Sequence, residues 1–95
     1  MDIEERIWWA EKARAAVRMA HKKLRSGEDL DFCDVNDIRR YTQKLGGSEA
    51  GDEIAEFCWT FSRPPVYGKD LWLADRILTE HIADLEEALK GTPET

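Results

Sequence analysis

The 95-residue chain lacks most of the features that mark a secreted, membrane-spanning or redox-active protein. Its only cysteines, Cys33 and Cys58, are too few for a disulfide framework, and their spacing matches no metal site. No apolar run approaches the roughly 20 residues needed to cross a bilayer. Acidic Asp2, Glu4 and Glu5 occupy the region where a signal peptide would carry basic residues. We therefore expect a cytoplasmic protein that does not associate with a membrane.

Strand-like alternation and glycine-rich phosphate loops are also missing, and apolar residues recur instead with helical spacing. The sequence predicts an all-α fold with one domain over residues 1–95. We expect a small four-helix bundle in which the two long helices pack antiparallel. The predicted helices are two long ones at about 3–25 and 70–90, and two short ones at about 35–45 and 49–62.

Helix start and stop signals set these boundaries. Asp2 with Glu5 is typical of a capping box, and Gly27 suits a left-handed stop. Asp34 is the predicted N-cap of the second helix, with Cys33 and Ile38 spaced as a hydrophobic staple. Before it, a short acidic connector should fold its apolar side chains, Leu30 and Phe32, inward. Ser48 can cap the third helix, and Gly51 should weaken that helix by up to ~1 kcal/mol relative to alanine.

Charge is unevenly distributed along the chain, whose net charge is −6. Residues 1–27 hold seven basic and four acidic side chains, whereas residues 28–56 hold three basic and nine acidic ones. The basic first helix can neutralise the acidic middle internally, or the acidic middle can meet a basic partner. Our candidates for polar contact with such a partner are Asp34, Asp37, Glu53 and Glu56.

Residues that could carry out catalysis occur without the partners that catalysis requires. His81 falls within the apolar stripe of the last helix, which predicts a histidine at the core edge bonded to a neighbouring group. Cys58 falls on a core stripe, where burial raises the pKa of a thiol and disfavours the nucleophilic thiolate. The sequence therefore predicts a protein that is not an enzyme and holds neither a metal nor a cofactor.

A magnesium-dependent enzyme is the weaker of two alternative functions. Glu53 and Glu56 share a helix face, as in the Glu-x-x-Glu pair of small helical nucleotide pyrophosphohydrolases. Those enzymes also use a Glu-x-x-Asp pair on a following helix, and the downstream acids do not form one. A hydrated divalent ion would lack ligands, so a solvated helix face is the better interpretation.

Nucleic-acid contact through the first helix is the other alternative. Its outer face carries a basic stripe that could neutralise phosphates, made of Arg14, Arg18, Lys22 and Arg25. The chain as a whole is acidic, with a pI near 4.9, and acidic residues share this face. Val35 to Phe61 is acidic where a recognition helix would be basic. Direct nucleic-acid binding is therefore disfavoured.

The segment Pro64-Pro65-Val66-Tyr67 matches the Pro-Pro-x-Tyr pattern that WW domains bind as an extended polyproline-type ligand. Such ligands belong to flexible regions, whereas this segment connects two predicted helices. Packing of Tyr67 and Trp72 over the connection is the favoured interpretation.

The four tryptophans are the feature that a small core explains least. Trp9 suits the core face of the first helix. Trp8, Trp59 and Trp72 lie off the main apolar stripes of their helices, and Met19 joins Trp8. Either the short helices cover these side chains on two sides, or the side chains form a partner-binding surface. If the stripe of Trp8 and Met19 is open, self-association as a homodimer is its simplest use.

Taken together, these patterns predict a small acidic protein-binding module that acts as an adaptor or as an inhibitor of a larger, nucleic-acid-handling assembly. In general character the chain is similar to the compact acidic proteins of phages and mobile elements that block host machinery, including anti-CRISPR proteins. The likeness is one of size, charge and helical content, and it implies a protein partner. The residues expected to make apolar contacts are Trp8, Met19, Trp59 and Trp72.

Overall fold

A computed structural model describes residues 2–62 and 66–91, with only the backbone described at Ser62. Pro64 and Pro65 of the Pro-Pro-x-Tyr pattern lie outside the described residues. The described residues form four α-helices, and a short 3₁₀ turn at Thr60–Ser62 extends the third. The described residues contain no β-strand, and the predicted all-α four-helix fold is confirmed. The helices are α1 (Ile3–Arg25), α2 (Phe32–Gln43), α3 (Glu49–Trp59) and α4 (Gly68–Gly91).

Helix α1 begins and ends where its sequence signals predict. Asp2 is the N-cap, and its Oδ1 accepts a hydrogen bond from the backbone amide of Glu5 at 2.8 Å. After the last helical residue, Gly27 adopts a φ of +81°, in the left-handed region. The amide of Glu28 then donates to the carbonyl oxygen of Lys23 at 2.9 Å. This reversal satisfies a carbonyl group that the end of the helix would otherwise leave unpaired.

Helix α2 begins at Phe32, three residues earlier than predicted, and its N-cap is Asp31 rather than Asp34. The two carboxylates form a reciprocal capping box. The Asp31 side chain accepts from the amide of Asp34 at 2.9 Å, and the Asp34 side chain accepts from the amide of Asp31 at 3.0 Å. The prediction was wrong because Asp34 and Asp37 have the same three-residue spacing as the true pair, Asp31 and Asp34. The same apolar residues follow both pairs, so the local pattern fits either start.

This earlier start changes the connector before α2. Leu30 packs against the core as predicted. Phe32 does not fold inward, because it is now the first helical residue and its side chain is 74% exposed. Cys33 is also exposed, so the predicted hydrophobic staple with Ile38 is wrong. One edge of the bundle therefore carries an aromatic side chain that sequence patterning had assigned to the core.

The first turn of α3 lies against the turn that follows α2 at Gly51, which is buried. A Cβ atom at Gly51 would overlap the backbone carbonyl group of Leu45 and lie 2.9 Å from the Oγ of Ser48. The same Leu45 oxygen accepts a hydrogen bond from Nη1 of Arg6 at 3.0 Å. Gly51 does more than weaken the helix, as its propensity suggests, because the close approach of the first turn of α3 to the Leu45 backbone requires a residue without a side chain.

The two long helices, α1 and α4, run antiparallel as predicted. Along α1, the ring of His21 lies near Gly68, Arg18 pairs with Asp75, and Arg14 donates to Thr79, so positions ascend on one helix as they descend on the other. The buried face of α1 consists mostly of small side chains, which allows close approach of the helices. That face comprises Ala10, Ala13, Val17 and Ala20.

The core is mainly aliphatic, with Phe61 also buried, and none of its fully buried large side chains is a tryptophan. The largest fully buried hydrophobic side chains come from all parts of the bundle: Val17, Ile38, Leu45, Cys58, Leu71 and Leu78. Trp9 packs against this core while staying partly exposed, in agreement with its predicted place on the inner side of α1. The remaining tryptophans are left for the surface.

Candidate protein-binding surfaces

The outer face of α1 is open to solvent. Trp8 is 50% exposed and Met19 is 64% exposed, so no other described helix covers the stripe that they define. Trp8 packs edge-to-face against Trp9, with the ring centroids 4.7 Å apart. The Nζ of Lys12 lies 4.9 Å from the Trp8 ring centroid and 5.2 Å from that of Tyr41. The interpretation in which the short helices cover this stripe is therefore wrong.

A shallow groove between α1 and α2 brings three of the proposed contact residues together. It has a volume of about 290 Å³, and Met19, Asp34 and Asp37 line it along with Tyr41. Met19 and the two acids are far apart in sequence, and the groove results from α2 folding back along α1. A partner side chain entering it would meet an apolar wall and carboxylates together.

Asp34 is already engaged within the protein. Its carboxylate accepts hydrogen bonds from Nζ of Lys23 at 2.9 and 3.1 Å, and from the amide of Asp31. Burial alone would raise the pKa of Asp34, but these hydrogen bonds and the lysine charge outweigh it and hold the pKa below its usual value. Asp37 makes only a 3.4 Å contact with Arg40, so it is the more available acid of the two.

A second surface is centred on Trp59, at the end of α3. Trp59 is 51% exposed, and the Arg39 guanidinium carbon lies 4.0 Å from its ring centroid, in stacking range. Glu53 and Glu56 are exposed on the same helix, about two turns and one turn before the tryptophan, respectively. The Nε of Arg39 is buried and has no hydrogen-bond partner within the described residues. Arg39 thus holds the indole in place and leaves one donor unpaired.

Arg39 also lines a deeper groove, of about 440 Å³, that sequence patterning did not predict. Its walls are mainly apolar and come from the end of α1, the start of α2 and the residues on both sides of the connection to α4. Exposed Phe32 and the acids Asp29 and Asp31 also line it. The sequence did contain one signal for this groove, the capping-box spacing of Asp31 and Asp34. A helix capped by Asp31 has Phe32 as its first residue, and Phe32 lines the groove. The apolar wall residues are Leu24, Leu30, Val35, Phe61 and Val66.

Trp72 belongs to a third element, the first turns of α4. Its side chain is 55% exposed, and the Arg76 guanidinium carbon lies 5.8 Å from its ring centroid. Tyr67 is also 55% exposed, so neither aromatic ring is packed away over the connection as expected. Val66, between them and the prolines, packs against the core. The four residues predicted to make apolar contacts therefore lie on three different helices, α1, α3 and α4.

The basic stripe of α1 is partly neutralised by α4. Nε and Nη2 of Arg18 bind the two oxygens of Asp75 at 2.9 and 3.2 Å, and Nη1 of Arg14 donates to Oγ1 of Thr79 at 3.3 Å. Burial would raise the pKa of Asp75, but the hydrogen bonds and charge of Arg18 outweigh it and lower the pKa. Glu11 shares the surface with these arginines. The stripe therefore offers less free positive charge than its sequence suggests.

The two residues considered for catalysis are both buried. Burial raises the pKa of the Cys58 thiol to about 12, against a smaller opposing effect of its hydrogen bond with Thr42. Burial also lowers the pKa of His81, whose Nε2 has no hydrogen-bond partner within the described residues. The neighbouring group predicted to bond that histidine is thus missing at Nε2. In the described part of the chain, no group of three or more His, Cys, Asp or Glu side chains could hold a metal ion.

Comparisons with known proteins give no relative. No family model matches the chain, and neither the curated proteins nor the solved structures contain a significant match. Among the described residues, no helix is both long enough and apolar enough to cross a membrane. The function must therefore be argued from these surfaces alone.

Proposed function

We propose that the chain is a non-enzymatic protein-binding module that acts as an adaptor or as an inhibitor of a larger assembly. One observation carries the proposal: Trp8, Trp59 and Trp72 are each at least half exposed, while smaller and mainly aliphatic side chains fill the core. Tryptophan contributes more than most residues to protein–protein affinity, because it removes a large apolar area from water with few rotatable bonds to restrict.

The surface of Trp59 and the deeper groove is the best candidate for the partner. Arg39 joins the two, since it lines the groove and stacks on Trp59. A groove of about 440 Å³ is within the size range of ligand pockets, and its walls suit a large apolar side chain.

Charge around this surface indicates the chemistry of the partner. Asp29 and Asp31 line the groove, and Glu53 and Glu56 lead along α3 to Trp59. A partner segment with an apolar anchor and basic neighbours would match the surface in both shape and sign. An acidic module of this kind can occupy a basic site on another protein, which is how we infer that it inhibits, in the manner of small acidic proteins of phages and mobile elements.

Site-specific photocrosslinking in the source cell, followed by nuclease treatment, tests the proposal. We expect benzoylphenylalanine at position 59 or 32 to capture the same protein. Glu87, exposed on α4 and distant in sequence, provides the control position, which should capture nothing specific. The double substitution Glu53→Lys and Glu56→Lys should weaken capture at position 59. Equal capture from all three positions, or none from 59 and 32, would exclude this surface as a binding site.

A further inference from the structure

The outer face of α1 has a repeat that fits a second copy of itself. Trp8, Lys12, Ala15 and Met19 form a stripe along this face, and all four are exposed. At 100° per residue the stripe lies opposite the buried alanine face of the same helix. Its intervals of four, three and four residues are those of a coiled-coil seam. Because the intervals read the same in both directions, the stripe matches itself when one helix is reversed.

The charged residues along one edge of this stripe also match a reversed copy of the helix, because reversal exchanges the positions of the acids and the arginines. Glu4, Glu11, Arg18 and Arg25 follow at seven-residue intervals and are all exposed. The two acids lie in the first half of α1 and the two arginines in the second half. Two such helices packed parallel would place these residues on opposite sides of the seam, where they could not meet, whereas antiparallel packing places each acid opposite an arginine.

We propose that the chain forms a two-fold symmetric homodimer through antiparallel packing of α1 against the partner's α1. Trp8 packs against the partner's Met19, and the sulfur-to-ring contact adds to the apolar burial. Ala15 lies opposite the partner's Lys12, where its small side chain allows close approach. Glu4 faces the partner's Arg25, and Glu11 faces the partner's Arg18. This dimer uses the stripe beside the shallow groove and leaves the deeper groove and Trp59 free, so the two proposals stand independently.

Two side chains on this face already have contacts within the monomer. The ammonium group of Lys12 leans toward the rings of Trp8 and Tyr41, so the stripe is covered by its methylene stem. Arg18 binds Asp75 through Nε and Nη2, and its Nη1 makes no hydrogen bond within the described residues. The charge of Lys12 remains near the two-fold axis of the dimer and limits the stability of the dimer. Nη1 of Arg18 remains available to the partner's Glu11.

Sedimentation equilibrium of the full chain over a range of concentrations tests the dimer and its centre. Ala15→Glu places a carboxylate in the middle of the stripe at an exposed position, and we expect it to abolish self-association. Lys12→Leu removes the charge near the axis and should tighten the dimer about tenfold or more. Thermal melting by circular dichroism verifies that each variant remains folded.

A charge exchange tests the antiparallel direction. Glu4→Lys and Arg25→Glu should each weaken the dimer by about tenfold at low salt, because each turns two attractions into repulsions. The variant with both substitutions should regain most of the wild-type affinity, since each pair is restored with its sign reversed. In a parallel dimer the double substitution would not restore affinity.

Three results overturn the proposal. A chain that stays monomeric up to about 1 mM does not self-associate in any useful range. A dimer indifferent to Ala15→Glu and Lys12→Leu is built on another surface, and one not rescued by the double exchange is not antiparallel. Benzoylphenylalanine at position 15 that crosslinks to a different protein, and not to a second copy, would assign this face to that protein instead.

Discussion

Gly51→Ala is the substitution for which helix propensity and tertiary structure predict opposite signs. In an isolated helix, alanine in place of glycine stabilises by about 1 kcal/mol. In this protein the new methyl group would overlap the carbonyl group of Leu45, so α3 must move away from the end of α2. Overpacking of this kind costs about 1–3 kcal/mol. Displacing the Leu45 oxygen would also weaken its hydrogen bond from Arg6, a charged donor, at a cost of about 1.5–3 kcal/mol.

We therefore expect Gly51→Ala to lower the free energy of unfolding by about 1.5–5 kcal/mol, after the propensity gain is subtracted. For a domain of this size, the corresponding fall in melting temperature is roughly 6–40 °C. Urea unfolding followed by tryptophan fluorescence would measure the first quantity, and circular dichroism the second.

Gly68→Ala is the matched control. Gly68 begins α4, and a Cβ atom there would lie 3.6 Å from Nε2 of His21, an ordinary van der Waals distance. This variant should be neutral or stabilised by up to about 1 kcal/mol. If Gly51→Ala proved as stable as Gly68→Ala, the close approach of α3 to Leu45 would not be a feature of the folded protein, and the argument from packing would fail.

Three further predictions concern titration, thiol reactivity and capping. Because burial holds the pKa of His81 below its ordinary value of 6.5, the unfolded chain binds a proton that the folded chain excludes. Stability should therefore fall as the pH drops below about 6.5 toward the folded pKa, and urea midpoints of His81→Gln should lack this component of the fall. With a thiol-reactive chromophore near neutral pH, Cys33 should react in the native protein and Cys58 only on unfolding; fast reaction of both would contradict the burial of Cys58. Asp31→Ala should cost about 1 kcal/mol as the loss of an N-cap. Asp34→Ala should cost more, because it removes the Lys23 ion pair as well as half of the capping box, and equal urea midpoints for the two variants would refute that order.

The sequence was sufficient for the long helices, since their signals are local. Asp2 caps the start of α1 and Gly27 ends the helix, and each acts on residues less than one turn away. Neighbouring residues in the sequence are therefore enough to predict both ends. The start of α2 was missed because two overlapping acid pairs satisfy the same local rule, and only packing chooses between them. Phe32 was assigned to the core for the same reason.

The candidate surfaces were predictable only in part. Helical periodicity placed Trp8 and Met19 together off the core face, and the structure shows them exposed. Periodicity could not reveal that Asp34 would be neutralised by Lys23, because that contact depends on how α2 folds back along α1. The deeper groove was also beyond reach, since its walls come from segments that meet only in the folded chain.

The pairing of α1 with α4 has a consequence for how the protein is made. The two helices that bury each other's apolar faces are separated in sequence by the whole of α2 and α3. During synthesis, α1 leaves the ribosome with its alanine face uncovered; α2 can cover part of that face, but the face is fully shielded only when α4 has been made. The α2–α3 hairpin can form early from local contacts, whereas the closing step depends on the most distant segment. A nascent chain arrested before α4 would thus expose the apolar face of α1 to other proteins. We expect chaperones to bind such a chain and to dissociate when α4 emerges.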